Sequence, residues 1–250
     1  MADSNFKHKT VMTWDDLRNI IDGFSTKHDQ YMFRGHRKNE WKLESTLRRK
    51  LNGFYPDNKT AWSLKSNRIY DSFESNIRGR TNISFGTLES HDDEIWALGQ
   101  HYGLYTPLLD WTRSPYVALF FSLWKNKESG DGFRALWALN IEDIEKINSE
   151  HRKEGPAKLV EIVEPMTNEN PRLVNQSGLF LNLPLDYDLE TWVKEGIDTK
   201  NITLYKISFP DEIRNNTIDI LNNMNINNLS LFPDLTGASL HSNYQFEIEE

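Results

Sequence analysis

The sequence predicts an α+β fold: one domain with a mixed, mostly antiparallel sheet and flanking helices. Helical and strand periodicities are interspersed along the 250 residues without strict alternation. No internal repeat, heptad pattern or linker-like composition divides the chain. A content of 38% hydrophobic and 12% aromatic residues suffices for a sizeable core. Residues 12–244 are read as the domain, between a flexible N-terminal tail over 1–11 and a C-terminal tail over 245–250.

The first element is "TWDDLRNIIDGF". Thr13 and Asp16 have capping-box spacing, and Trp14, Leu17, Ile20, Ile21 and Phe24 recur at helical intervals. In "YMFRGHRKNEW", residues 31–41, three strand-suited residues lead into Arg34, and Gly35 permits a sharp turn. Residues 60–99 read as mainly helical with a polar break around "GRTNISFGTLESHDDE". A loop holding Gly103 and Pro107 then gives way to "LLDWT", after which Ser114 and Pro115 form an N-cap and first-turn pair before a strongly apolar helix. Past the "KNKESGDG" turn, "FRALWALNI", "AKLVEIVEP" and "NITLYKISF" read as strands. Ile213, Thr217, Ile220, Leu221 and Met224 mark a helix after Pro210, "NNMNINN" a polar turn, and "NNLSLF" a closing strand.

Composition removes several classes. With 37 acidic against 29 basic residues, the net charge of -8 opposes broad attraction to a nucleic-acid backbone, although a local cationic groove stays open. The absence of cysteine excludes disulfides, thiolate nucleophiles and cysteine-ligated zinc. The N-terminus lacks a secretory apolar core and "YVALFF" is too short to cross a bilayer, so the expectation is a cytoplasmic protein without a membrane partner. No phosphate-binding glycine loop, nucleophile elbow or His-Glu-x-x-His motif is present, and "ESHDDE" has the spacing of a solvated helix start rather than of a metal site.

A few residues remain with chemistry to explain. Arg34, at the end of an apolar strand, suits bidentate capture of a carboxylate or phosphate, or equally a structural pairing. Ser114 sits where free backbone N–H groups converge, a place suited to an anion. His101 and Tyr102 could orient a substrate ring or a proton, or His101 could be satisfied in the Gly103 turn. Asp110 reads as a catalytic carboxylate or as a tie to Arg34 or Arg113. Trp111, Phe120 and Phe121 read as core, Gln176 as a site residue or a buried backbone-bonding amide, and Asp234 as an Asx turn.

The blocks "FRG" at 33–35, "QHYGLYTPLLDWTRSPYVALFF" from Gln100 and "NQSGLF" from Asn175 resemble the FRG domain family, with the likeness running from about Trp14 to near Leu240. Tyr105 departs from the family's usual "GLPT" run. A weaker similarity is to ADP-ribosyltransferases, which follow an aromatic-Arg-Gly strand with a Ser/Thr-bearing strand and an Ala- and Phe-containing helix. Phe33-Arg34-Gly35, then Asp110 to Ser114, then Ala118 and Phe121 are similar in order.

This resemblance implies an ADP-ribosyltransferase-like core with NAD as its substrate. Arg34, Gly35, Tyr102, Thr112 and Ser114 would bind NAD, with Thr112 and Ser114 bracing its nicotinamide end. The chemistry also needs a carboxylate near the ribose. The third block offers Gln176 instead of glutamate, so Asp110, Glu161, Glu164 or Asp234 would complete the site. Asp110 ranks first, with Gln176 and His101 as the other catalytic candidates. The acceptor would be protein, nucleic acid or water. The FRG resemblance implies a bacterial toxin or phage-defence effector, with an antitoxin or complex partner. The competing reading is a non-catalytic nucleotide- or phosphate-binding module acting in a protein complex.

Overall fold

The structure is a computed structural model that describes residues 5–25, 30–80, 91–125, 131–153, 155, 158–165, 171–196 and 203–248. In chain order the elements are β1 (Phe6–Thr10), α1 (Trp14–Ser25), β2 (Tyr31–His36), α2 (Thr46–Phe54), α3 (Lys59–Ile77) and α4 (His91–His101). Next come β3 (Leu108–Thr112), α5 (Pro115–Leu123), β4 (Phe133–Asn140), α6 (Ile141–His151), β5 (Glu161–Val163), α7 (Pro171–Asn175) and β6 (Gly178–Asn182). The chain continues through α8 (Leu189–Glu195), β7 (Leu204–Pro210), α9 (Arg214–Asn223), α10 (Asn228–Leu231) and α11 (Leu235–Ile248). The fold is the expected α+β, with one seven-stranded mixed sheet of order β1-β7-β4-β2-β3-β6-β5. Only β1–β7 is parallel.

Helices cover both faces of this sheet. From Ala135 to Asn140 every residue of β4 is buried, and its alternate side chains go to different cores. Leu136 and Ala138 pack with Phe33 against α1, α5 and α9. Ala135, Trp137 and Leu139 pack with Met32 against α6 and α8. A third cluster joins Leu108 and Phe180 to Leu47, Leu51, Trp62 and Trp96 of α2, α3 and α4. Trp111 and Phe120 are core, as their apolar setting predicts, whereas Phe121 is only partly buried and reaches a cleft.

Helix α5 is apolar on all sides, and its two ends are satisfied differently. Ser114 accepts from the Val117 N–H at 3.3 Å at the N-terminus. At the C-terminus two buried arginines meet the last carbonyls: Arg134 donates to Ser122 O at 2.5 Å and Lys125 O at 3.1 Å, and Arg214 to Leu123 O at 2.8 Å. Asp211 pairs with the Arg134 Nε.

Several expectations change. The N-terminal tail contains β1, whose polar "FKHKT" joins the edge of β7 through its backbone, with His8 within 2.7 Å of the Ser208 hydroxyl. Its one apolar residue, Phe6, packs on the core beside Trp137, so the strand leaves no hydrophobic alternation to read. "NNLSLF" is helix α10, because Asn227 and Ser230 form a reciprocal capping box. The C-terminal tail is shortened too, since α11 continues to Ile248. "AKLVEIVEP" yields only the short β5.

Gly35 makes no turn, since it lies inside β2. Residues 89–90 of "ESHDDE" lie outside the described residues, and Asp92 to Glu94 form the first turn of α4. Among the described residues no His, Asp and Glu group could hold a metal ion, and no helix is long and apolar enough to cross a membrane.

Candidate active site in a split sheet

Between β2 and β3 the ladder consists of a single pair, Phe33↔Thr112. On the other side of β2 all six residues pair with β4. The sheet therefore splits beside Phe33, and the next residue on β2 is Arg34. Its Nη1 donates to the Asp110 main-chain oxygen at 2.5 Å, a side chain supplying what the missing ladder bond does not. The same Nη1 is 3.5 Å from the Asp110 carboxylate. Arg34 Nε donates to His36 Nε2 at 3.1 Å, while Nη2 has no partner among the described residues.

A cleft of about 480 Å³ opens at this split. Such a volume is ordinary for a small-ligand site, about 300–1,000 Å³. Arg34, Gly35, His101, Asp110, Thr112 and Gln176 line it together. Tyr102 and Ser114 are not part of the lining. Tyr102 is 75% exposed, edge-on to His101, and Ser114 is the α5 cap. Of the other carboxylates considered, Glu164 pairs with Arg113, Asp234 with Arg172, and Glu161 lies opposite Asn182 on edge strand β5. Among the described lining residues Asp110 is the one carboxylate.

Asp110 is exposed but held. Its Oδ1 accepts from Gln100 Nε2 at 2.7 Å, and Gln100 in turn accepts from the buried Thr106 hydroxyl. Thr112 directs its hydroxyl to the Gln176 carbonyl at 2.6 Å and accepts from the Ser114 N–H at 3.0 Å, so it fixes the wall. Gln176 donates Nε2 to Leu231 O at 3.0 Å, the backbone-bonding alternative, and presents no charge.

His36 escaped the sequence reading, although its i,i+2 spacing puts it on the Arg34 face of β2. It is 2% exposed, and its Nδ1 lies 3.2 Å from the Trp137 indole N–H. A neutral imidazole has one lone pair, so only one of these two donor contacts is a hydrogen bond at a time. A proton on both nitrogens would oppose both donors. Burial first, then the charges of Arg34 and Lys206, accordingly hold the His36 pKa well below 6.5. Burial also lowers the Arg34 pKa, against the Asp110 charge, without removing its cationic state. Burial lowers that of His101, helped by Arg172 and opposed by Asp234.

The His36 shift gives a signed pH dependence. Its folded pKa lies below its unfolded value, so between the two the unfolded chain binds more protons. The stability it contributes is intact above about 6.5 and is lost as the pH falls toward the folded value. Urea unfolding should therefore show a lower midpoint at about pH 5 than at about pH 7.5. His36→Gln keeps an acceptor for Arg34 but cannot titrate, so it should shrink that difference.

Two further arginines reach the cleft. Arg37 lies 5.1 Å over the Trp41 ring, and Arg172 lies 5.5 Å over that of Phe232. Arg172 stands just before the block that holds Gln176, yet its role depends on residues 232–236, about sixty positions away, which no local pattern connects.

Fold and site together define an α+β protein whose split sheet presents an arginine-anchored cleft. Residues 29–131, from the approach to β2 through α5, match the family model of the FRG domain. No curated protein and no solved structure matches the chain.

Proposed function

We propose that the cleft binds NAD and that the chain is an ADP-ribosyltransferase-like enzyme, releasing nicotinamide and passing ADP-ribose to a protein, a nucleic acid or water. One observation carries this reading: the uncommitted Nη2 of Arg34 and the Asp110 carboxylate share one aromatic-walled cleft. The three blocks of the resemblance also fall on neighbouring strands or their lead-in, β2, β3 and β6. In the reaction the ribose–nicotinamide bond breaks with its electron pair leaving on nicotinamide, and positive charge develops on the sugar carbon. Arg34 would hold a phosphate, and Asp110 would stabilise that charge and polarise a ribose hydroxyl. Thr112, Ser114 and Gln176 would act through the wall they fix. A cytoplasmic toxin or defence effector in a bacterium, paired with an antitoxin or complex partner, belongs to the same reading.

The test is nicotinamide release from NAD, with and without cell extract. We expect release by the natural protein and about tenfold to hundredfold weaker NAD binding by Arg34→Ala, the effect of losing a charge-assisted contact. One feature favours the second reading, a nucleotide-binding module without catalysis: the third block supplies the neutral Gln176, and Asp110 is already engaged by Gln100. NAD binding that depends on Arg34, without release in any extract, selects that reading.

A further inference from the structure

We propose that Arg172 is a second anion anchor, so that the cleft selects a diphosphate over a single phosphate; this rests on reading the cleft as a nucleotide site. Arg172 Nε donates to Asp234 Oδ2 at 2.7 Å, and Nη2 contacts the same oxygen at 2.5 Å and Thr236 Oγ1 at 3.0 Å. Its guanidinium lies over Phe232, which stacks on Trp124 with centroids 5.4 Å apart. Nη1 has no partner among the described residues. Arg34 shows the same economy: Nε and Nη1 are committed and Nη2 is not. Two fixed guanidinium groups thus each bring one uncommitted terminal nitrogen to one cleft.

The surroundings favour an anion there. Among the described residues, Arg34, Arg37 and Arg172 line the cleft against the single carboxylate of Asp110, in a chain whose net charge is -8. The segment bearing Arg172 is also fastened to the one bearing Asp234. Asn175 donates to Ser230 O at 2.8 Å and Gln176 to Leu231 O at 3.0 Å. The arginine is therefore positioned before ligand arrives, which reduces the ordering cost of binding. This anchor lies outside the matched residues 29–131.

Calorimetric titration with ADP and with AMP tests the assignment. The full chain should bind ADP about tenfold to hundredfold more tightly than AMP, the worth of one extra charge-assisted contact. Arg172→Ala should bring that ratio near unity while leaving AMP affinity within about threefold, whereas Arg34→Ala should weaken both ligands. Arg172→Lys keeps a charge near Asp234 but not the planar fork, and should lower the ratio even where the alanine variant fails to fold. If Arg172 merely ties α7 to the segment before α11, its variants will lose thermal stability with the ADP:AMP ratio unchanged. That result overturns the proposal, as does failure of the natural chain to prefer ADP. An ADP preference that follows Arg172 without nicotinamide release keeps the anchor and discards the transferase.

Discussion

Gly35→Ala should destabilise the protein by about 3 kcal/mol or more, at the upper end of what overpacking costs. A Cβ built on Gly35 would lie 1.9 Å from the Ala118 carbonyl oxygen and 2.7 Å from the Ser122 nitrogen. Both are backbone atoms of α5, so no rotamer change relieves the clash. The helix would have to move, and its apolar sides are packed in the core formed with α1 and α9. Moving it would also disturb the Arg134 and Arg214 contacts at its C-terminal carbonyls. Urea denaturation measures the loss. Gly23→Ala supplies the contrast: nothing lies within 4 Å of its added Cβ on the exposed face of α1, and it should gain about 0.5–1 kcal/mol. A Gly35→Ala protein as stable as the parent would mean that β2 and α5 do not touch as described.

This glycine shows what the sequence exposed and what it hid. "YMFRG" announced a strand, which β2 bears out, but the strand does not end at Arg34: it runs through Gly35 to His36, with Arg34 beside the split. Why glycine follows was legible only in part. A turn and a close backbone approach select the same residue, and the choice between them depends on α5, more than eighty residues away. The Ser114-Pro115 start of α5 was readable because capping is local. The β1 strand was not, because its register comes from β7 at the other end of the chain. "NNLSLF" misled differently: its alternation suits a strand, but the local Asn227–Ser230 capping pair fixes a helix.

The site divides along the same line. Arg34, Asp110 and Gln176 stand in blocks with unusual local composition, and the structure brings them to one cleft. Tyr102 and Ser114 share those blocks but stay out of the lining, since a block records proximity in sequence and not the direction of a side chain. His36 and Arg172 were missed because their importance lies in partners. Trp137 and Arg34 meet His36, and Asp234 and Phe232 hold Arg172. The single-pair junction between β2 and β3 unites these facts. A continuous ladder would satisfy Asp110 O through the backbone, whereas the split gives that oxygen to Arg34 and leaves room for a ligand beside it.

Asp110→Asn should reduce nicotinamide release by about 10²–10³-fold, the usual worth of a group that stabilises transition-state charge, while NAD affinity stays within about threefold. The substitution removes charge and little else. An asparagine Oδ1 still accepts from Gln100 Nε2, a bond of 2.7 Å in the parent, and the 2.5 Å contact of Arg34 with the main-chain oxygen does not involve the side chain. Arg34 loses a carboxylate at 3.5 Å, so its net attraction for phosphate holds or rises. Binding and turnover should therefore move apart, which distinguishes a carboxylate acting on the developing cation from one that only positions the arginine. In the latter case the asparagine would preserve release along with the geometry. Single-turnover release measured beside calorimetric NAD titration reads both quantities, and undiminished release by a folded Asp110→Asn protein would remove Asp110 from the chemistry.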